Sequence, residues 1–213
     1  MHVAPATSSV ETRFAVPRDF AAQVANAARA GTVDADDLAD FDVPGVRAGL
    51  FAGYPAVLIE TPHAQAAIAL HGGHLLSYVP SGQQQDVLWM SPRQAQLPAA
   101  IRGGVPVIWP YFGRQGQAGD VPSHGFARTV QWRVTSVVRD EDGTVSLTLA
   151  PPQHADLGLA LRMHVRIGPA LEQTLETTNT GETAIAFTQA LHSYFRVSDV
   201  AAVRVEGLDG LEF

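Results

Sequence analysis

LALRMHVRI at residues 159–167 and ALEQTLETT at residues 170–178 decide the fold. Both are short, apolar or alternating, and close to turn residues, the pattern of a strand with one face buried. Working outward, similar runs occur at 54–60 (YPAVLIE), 64–70 (AQAAIAL), 74–79 (HLLSYV), 86–90 (DVLWM), 130–138 (VQWRVTSVV) and 144–149 (TVSLTL). Two more follow at 184–191 (AIAFTQAL) and 200–205 (VAAVRV). Turn signals separate them, including Ser81-Gly82, Asp142-Gly143, Asn179-Thr180-Gly181 and Asp209-Gly210. Many short strands without alternating helices predict an antiparallel β-sandwich, not a parallel α/β sheet.

The preceding sequence is different in kind. Residues 1–16 mix Ser, Thr, Pro and Ala without a period, and read as a tail or a surface arm. Asp19 is placed to cap a short helix through Phe20, Val24 and Ala27 to Ala30, with Gly31 at its C-terminal end. Asp34, Asp36, Asp37, Asp40 and Asp42 lack the glycine and terminal glutamate of a calcium loop, so they read as a solvated acidic linker. The expected organisation is a tail and helix over 1–45 and one β-sandwich domain over 46–213. At the other end, Asp209-Gly210 reads as a hairpin turn and Leu211-Glu212-Phe213 as the start of a returning strand, so the domain is expected to continue beyond Phe213.

Composition narrows the chemistry. The 213 residues are 46% hydrophobic, enough for one sizeable core, and contain no cysteine, which excludes disulfides, thiolate nucleophiles and thiolate metal sites. Fourteen Lys plus Arg against 21 Asp plus Glu give a net charge of -7 without a basic stripe, which argues against nucleic acid. No apolar stretch has the length of a membrane span, and the N-terminus has no signal-peptide pattern, so the expectation is a soluble cytoplasmic protein without membrane partners. An anionic ligand would need arginines that overcome the overall field locally.

Three segments hold residues able to meet that need. In IRGGVPVIWPYFG (101–113), paired glycines permit unusual backbone, and Arg102 either borders a pocket or snorkels from a core-crossing loop. In PSHGFARTVQW (122–132), Arg128 offers a planar fork suited to phosphate and His124 a donor for a sugar hydroxyl, although a histidine before a strand is also a common structural hydrogen-bonding residue. In ALHSYF (190–195), strand alternation puts Ala190, His192 and Tyr194 on one face. So apolar a strand predicts partial burial of His192, which suits either a tuned general acid or a satisfied core histidine. Other motifs carry less. His71 and His74 in HGGH lie three apart, which turns them to opposite strand faces, and no HExxH zinc pattern, phosphate-binding glycine loop or GxSxG elbow occurs, so no metal or cofactor is expected. A pair of glycosidase carboxylates cannot be assigned from spacing.

In this order, HGGHLLSYVPSGQQQDVLWMS (71–91), IRGGVPVIWPYFG, SHGFARTVQW and ALHSYFRVSD (190–199) resemble the glucose-6-phosphate 1-epimerase branch of the aldose 1-epimerase superfamily. The resemblance covers about residues 54–213. It implies a large antiparallel sandwich with a sugar on its concave face. It also implies metal-free acid/base interconversion of the α and β anomers of a hexose 6-phosphate. By resemblance His192 is the catalytic acid, Arg102 and Arg128 bind substrate, and His124 contacts the sugar. Ser123 stands where this branch often has a longer glutamine, which departs from the pattern at a substrate-binding position. The family's catalytic glutamate, and an aspartate that binds substrate, fall in a C-terminal segment after Phe213. Residues before about 40 have no counterpart in the resemblance. A non-catalytic sugar-phosphate-binding relative, or a sandwich with a structural or recognition role, are the competing readings.

Overall fold

The computed structural model describes residues 41–93, 95–117, 120–153, 157–207 and 210. The helix expected from Asp19, and the turn and strand start expected at 209–213, fall wholly or mostly outside the described residues. Two four-stranded antiparallel sheets carry the fold. The first joins β1 (Val46–Phe51), β2 (Tyr54–Glu60), β3 (Ala64–Ala69) and β4 (His74–Pro80) in chain order. The second joins β6 (Arg133–Arg139), β7 (Val145–Ala150), β8 (Leu159–Ile167) and β9 (Leu171–Asn179), also in chain order. Between them in sequence lies β5 (Val107–Ile108), which pairs with β10 (Ala190–Leu191).

The side-chain pattern explains the layering. On β8, Leu159, Leu161, Met163, Val165 and Ile167 are buried, while the residues between them are half-buried or exposed. One face of this sheet therefore meets the core and the other meets solvent. The first sheet differs, because β2, β3 and β4 are buried nearly throughout. Val57, Ile59, Ile68 and Leu75 join the core shared with the second sheet, whereas Ala56, Leu58, Ala69 and Leu76 pack beneath Ile101 and Leu97. Burial on both faces is why these strands read as continuous apolar runs. The same covering layer carries Arg102 to the edge of the sheet.

Several expected strands are corrected. Residues 86–90 form only isolated bridges, Leu88 with Phe195 and Met90 with Gly103. Asp86 is buried and ties this loop to β4 by accepting from Ser77 Oγ at 2.5 Å and from the Tyr78 amide at 3.0 Å, while the Leu88 amide donates to it at 3.0 Å within the loop. Of 184–191 only Ala190–Leu191 is a strand. Residues 200–205 hold a 3-10 turn at Val200–Ala202 instead of a strand. Val200, Val203 and Val205 are exposed there, with no ladder partner among the described residues to fix an extended backbone. Strand β1 escaped the sequence reading because Arg47, Gly49 and Ala48 dilute its apolar signal.

Candidate functional site

The irregular segments anticipated at 101–113 and 122–132 converge with 190–195. β5 and β10 pair for only two residues, but hydrogen bonds extend the contact: His192 N donates to Pro106 O at 3.0 Å and Tyr194 N to Gly104 O at 2.8 Å. Trp89 N then donates to Tyr194 O at 2.9 Å. This three-way seam holds His192 and Tyr194 beside the arginine loop. Their neighbours Ala190 and Leu191 continue the pairing, so strand alternation puts both rings on one side.

A cleft of about 270 Å³ results, lined by Ala100, Ile101, Arg102, Pro106, His124, Arg128, His192 and Tyr194. Arg102, His124, Arg128 and His192 are thus brought together. Ser123 is not in the lining. Instead its carbonyl accepts from Arg128 Nη2 at 2.8 Å, which steadies the guanidinium. Arg128 Nε is buried without a hydrogen-bond partner, and burial pulls the guanidinium's pKa down, opposed by Tyr194. A cation held in this way gains from an anion that enters the cleft.

His124 is fixed by its surroundings. Its φ of 69° lies in the left-handed region, and its Nδ1 accepts from the Gly113 amide at 3.1 Å. Phe112 packs edge-on against the ring at 4.9 Å. Because Nδ1 accepts, the neutral ring carries its proton on Nε2 and is a donor there. Desolvation lowers its pKa, with Arg128 and then His192 adding to the effect, which favours this neutral form. Gly125 follows with φ of 70°, and a Cβ there would collide with the Trp109 carbonyl. The turn can therefore close only on glycine.

The His192 ring lies 6.5 Å from that of His124 and 4.9 Å from that of Tyr194. The expectation of partial burial fails, since His192 is exposed. β10 stops at Leu191, and of the three residues after it two are exposed and Tyr194 is half-buried. Sequence reasoning placed Tyr194 on the His192 face but gave it no role, and alternation alone was the available signal. Arg102 and Arg128 supply positive charge, and the two imidazoles can donate or accept protons. No carboxylate lines the cleft among the described residues. Nor do the described residues contain a group of three His, Cys, Asp or Glu side chains placed to hold a metal ion. No helix among them is long and apolar enough to cross a membrane.

Comparison with known proteins places this architecture. Residues 55–213 match the aldose 1-epimerase family. A protein of Escherichia coli strain K12 named "Putative glucose-6-phosphate 1-epimerase" is 42% identical over 159 residues, covering 71% of this chain and 52% of that protein. The protein of the same name from Salmonella typhimurium is 40% identical over 159 residues, with the same coverage of 71% and 52%. The chain thus spans about half the length of the curated relatives it matches. Among solved structures, a mutarotase-type protein (YeaD) from Salmonella typhimurium superposes with a TM-score of 0.66 at 33% identity, over 77% of this chain and 56% of that one. HI1317 superposes with a TM-score of 0.61 at 28% identity, over 75% and 56% of the respective chains. With the two-sheet fold, the arginine and histidine segments in order, and a family match over residues 55–213, the chain belongs to the aldose 1-epimerase family.

Proposed function

We propose that the cleft binds a hexose 6-phosphate, with glucose 6-phosphate the first candidate, and takes part in interconverting its α and β anomers. The observation that carries this reading is the convergence of Arg102, Arg128, His124 and His192 on one cleft of a chain whose net charge is -7. Two arginines lining one cleft of a negative protein suit an anion, and imidazole donors in the same lining suit the hydroxyls of a sugar. Protonated His192 donates to the ring oxygen while a base removes the proton of the anomeric hydroxyl. The C1–O5 bond breaks, the aldehyde forms, and rotation about C1–C2 followed by reclosure gives the other anomer. His124, donating through Nε2, holds a sugar hydroxyl.

The base is the open element. Neither step is fast without partial neutralisation at both oxygens, so a carboxylate must complement His192. The described lining residues include no carboxylate, and the chain spans about half the length of the curated relatives it matches, so the base belongs outside this lining. The same observation favours the second reading, in which this chain binds a sugar phosphate without turning it over. A chain without cysteine, acting on a phosphorylated sugar, fits the cytoplasmic setting expected above.

The test is titration of the chain with glucose 6-phosphate and with glucose, followed by NMR. Tighter binding of the phosphate, with shifts at Arg102, His124, Arg128 and His192, is expected. Equal binding of both sugars, or shifts elsewhere, would remove the assignment.

A further inference from the structure

Arg102 stands on a segment with little stiffness of its own. Gly103 and Gly104 follow it with φ of 102° and 60°, and glycine has access to several backbone wells at small cost. The direction in which Arg102 enters the cleft must therefore come from outside the loop. Hydrogen bonds supply part of it. Ser91 N donates to Arg102 O at 3.1 Å, Gly104 N to Trp89 O at 2.8 Å, and Val105 N to Leu75 O at 2.8 Å.

The Gly103 carbonyl turns instead toward β4, where His74 Nε2 lies 2.6 Å away. A carbonyl can only accept, so Nε2 carries the ring proton and donates. His74 is fully buried, and its Nδ1 has no hydrogen-bond partner. An aliphatic residue would fill the same site without stranding a polar atom. The paired glycines fit closely around this contact. A Cβ on Gly103 would lie 2.5 Å from Trp89 O, and one on Gly104 would collide with Leu75 O and come within 3.0 Å of His74 Nε2. The Gly104 carbonyl, one peptide further on, in turn receives Tyr194 N, so the glycine pair that His74 holds is also tied to the segment that bears His192.

We propose that His74 is a positioning residue, whose Nε2–H holds the Gly103 carbonyl and so fixes Arg102 in the cleft. The proposal rests on the reading of Arg102 as a phosphate ligand. It assigns a task to a histidine that the mechanism does not use. Burial, reinforced by His71 and Arg128 and opposed by the Gly103 carbonyl, lowers the His74 pKa to about 4, so the ring stays neutral and does not repel the arginines near neutral pH.

The experiment compares the wild-type chain with H74L, H74Q, R102A and the H74L/R102A double variant. Glutamine carries an amide nitrogen near the Nε2 position and leucine carries no donor. Glucose 6-phosphate and glucose affinities are measured by NMR titration, and amide hydrogen exchange is measured at Gly104 and Tyr194. H74L is expected to weaken glucose 6-phosphate by about 10- to 100-fold, the scale of a misplaced binding group, with glucose affinity unchanged. H74Q should restore the preference, the double variant should be no weaker than R102A, and the two amides should exchange faster in H74L. If H74L fails to fold, H74N replaces it, since its amide nitrogen falls near Nδ1 and short of Gly103. A purely structural role would lower stability but leave the ratio of the two affinities intact. That result, alongside a selective loss in R102A, would overturn the proposal. If R102A itself does not discriminate between the ligands, the phosphate reading fails. The exchange rates then decide the positioning claim, which unchanged protection of Gly104 and Tyr194 in H74L would refute.

Discussion

Replacing His74 with glutamine should flatten the acid limb of the stability curve. An imidazole in the unfolded chain titrates near pH 6.5, whereas burial holds the folded His74 down to about 4. Between these values the unfolded chain binds a proton that the folded chain does not. Stability from this group is therefore complete above about pH 6.5, declines as the pH falls, and levels off below the folded pKa. Lowering the pH from 7 to 5 removes about 2 kcal/mol through this one ring, and the loss approaches roughly 3 kcal/mol below pH 4. His71 and Arg128 are the charged or titratable groups that lower it further, and the pKa of His71 is itself lowered, first by burial. The His71 contribution has the same sign and is present in both proteins, as is that of the carboxylates. The assay is urea unfolding of wild type and H74Q at pH 7 and pH 5 at one ionic strength. A constant offset between the proteins says nothing about titration, so the signal is the change in that offset. Wild type should lose about 2 kcal/mol more than H74Q over this interval. Parallel losses would refute the claim that His74 is buried in its neutral form.

R102A and R128A should each weaken glucose 6-phosphate by about 10- to 100-fold, the equivalent of a lost charge-assisted contact, while glucose binding changes little in an NMR titration. Equal losses for both ligands would contradict the phosphate assignment. G125A adds a Cβ against the Trp109 carbonyl at a φ of 70°, so chemical denaturation should show a loss of about 3 kcal/mol from strain and overpacking, together with weaker sugar binding as His124 is displaced. D86A removes the acceptor of three hydrogen bonds, two from β4 and one from within residues 86–88, and should cost roughly 2–4 kcal/mol by the same assay. An unchanged midpoint would mean that the loop is held by other contacts.

The sandwich was legible wherever burial imposed a period. β8 lies within the limits expected from LALRMHVRI because pleating places alternate side chains in the core, and β2 within those of YPAVLIE because both of its faces are buried between specific turns. Legibility failed where pairing, not burial, defines the element. AIAFTQAL and VAAVRV are as apolar as true strands, but only Ala190 and Leu191 find a regular ladder partner among the described residues. The site divides in the same way. RGG, SHGFAR and ALHSYF singled out their own residues because arginine and histidine are conspicuous in apolar segments. The convergence of these segments needed the family resemblance, since no local spacing relates 102 to 128 and 192. HGGH was weighed for a metal, and His74 instead meets a backbone carbonyl 29 residues away. Such a contact has no sequence signature. Partial burial of His192 was expected from its apolar neighbours, but a strand that ends one residue earlier leaves the ring exposed.

The central claim is that the cleft around His192 interconverts sugar-phosphate anomers once a carboxylate completes it. Its most direct test is NMR exchange spectroscopy of glucose 6-phosphate anomers. The proteins compared are a version extended by a carboxylate-bearing C-terminal segment, the H192N variant of that version, and the 213-residue chain. Exchange well above the spontaneous rate is expected in the extended protein, with a fall of about 10²- to 10⁴-fold in H192N and a comparable deficit in the shorter chain. Exchange that is indifferent to H192N would contradict the role of His192, and equal rates in the two lengths would place the base within the 213 residues.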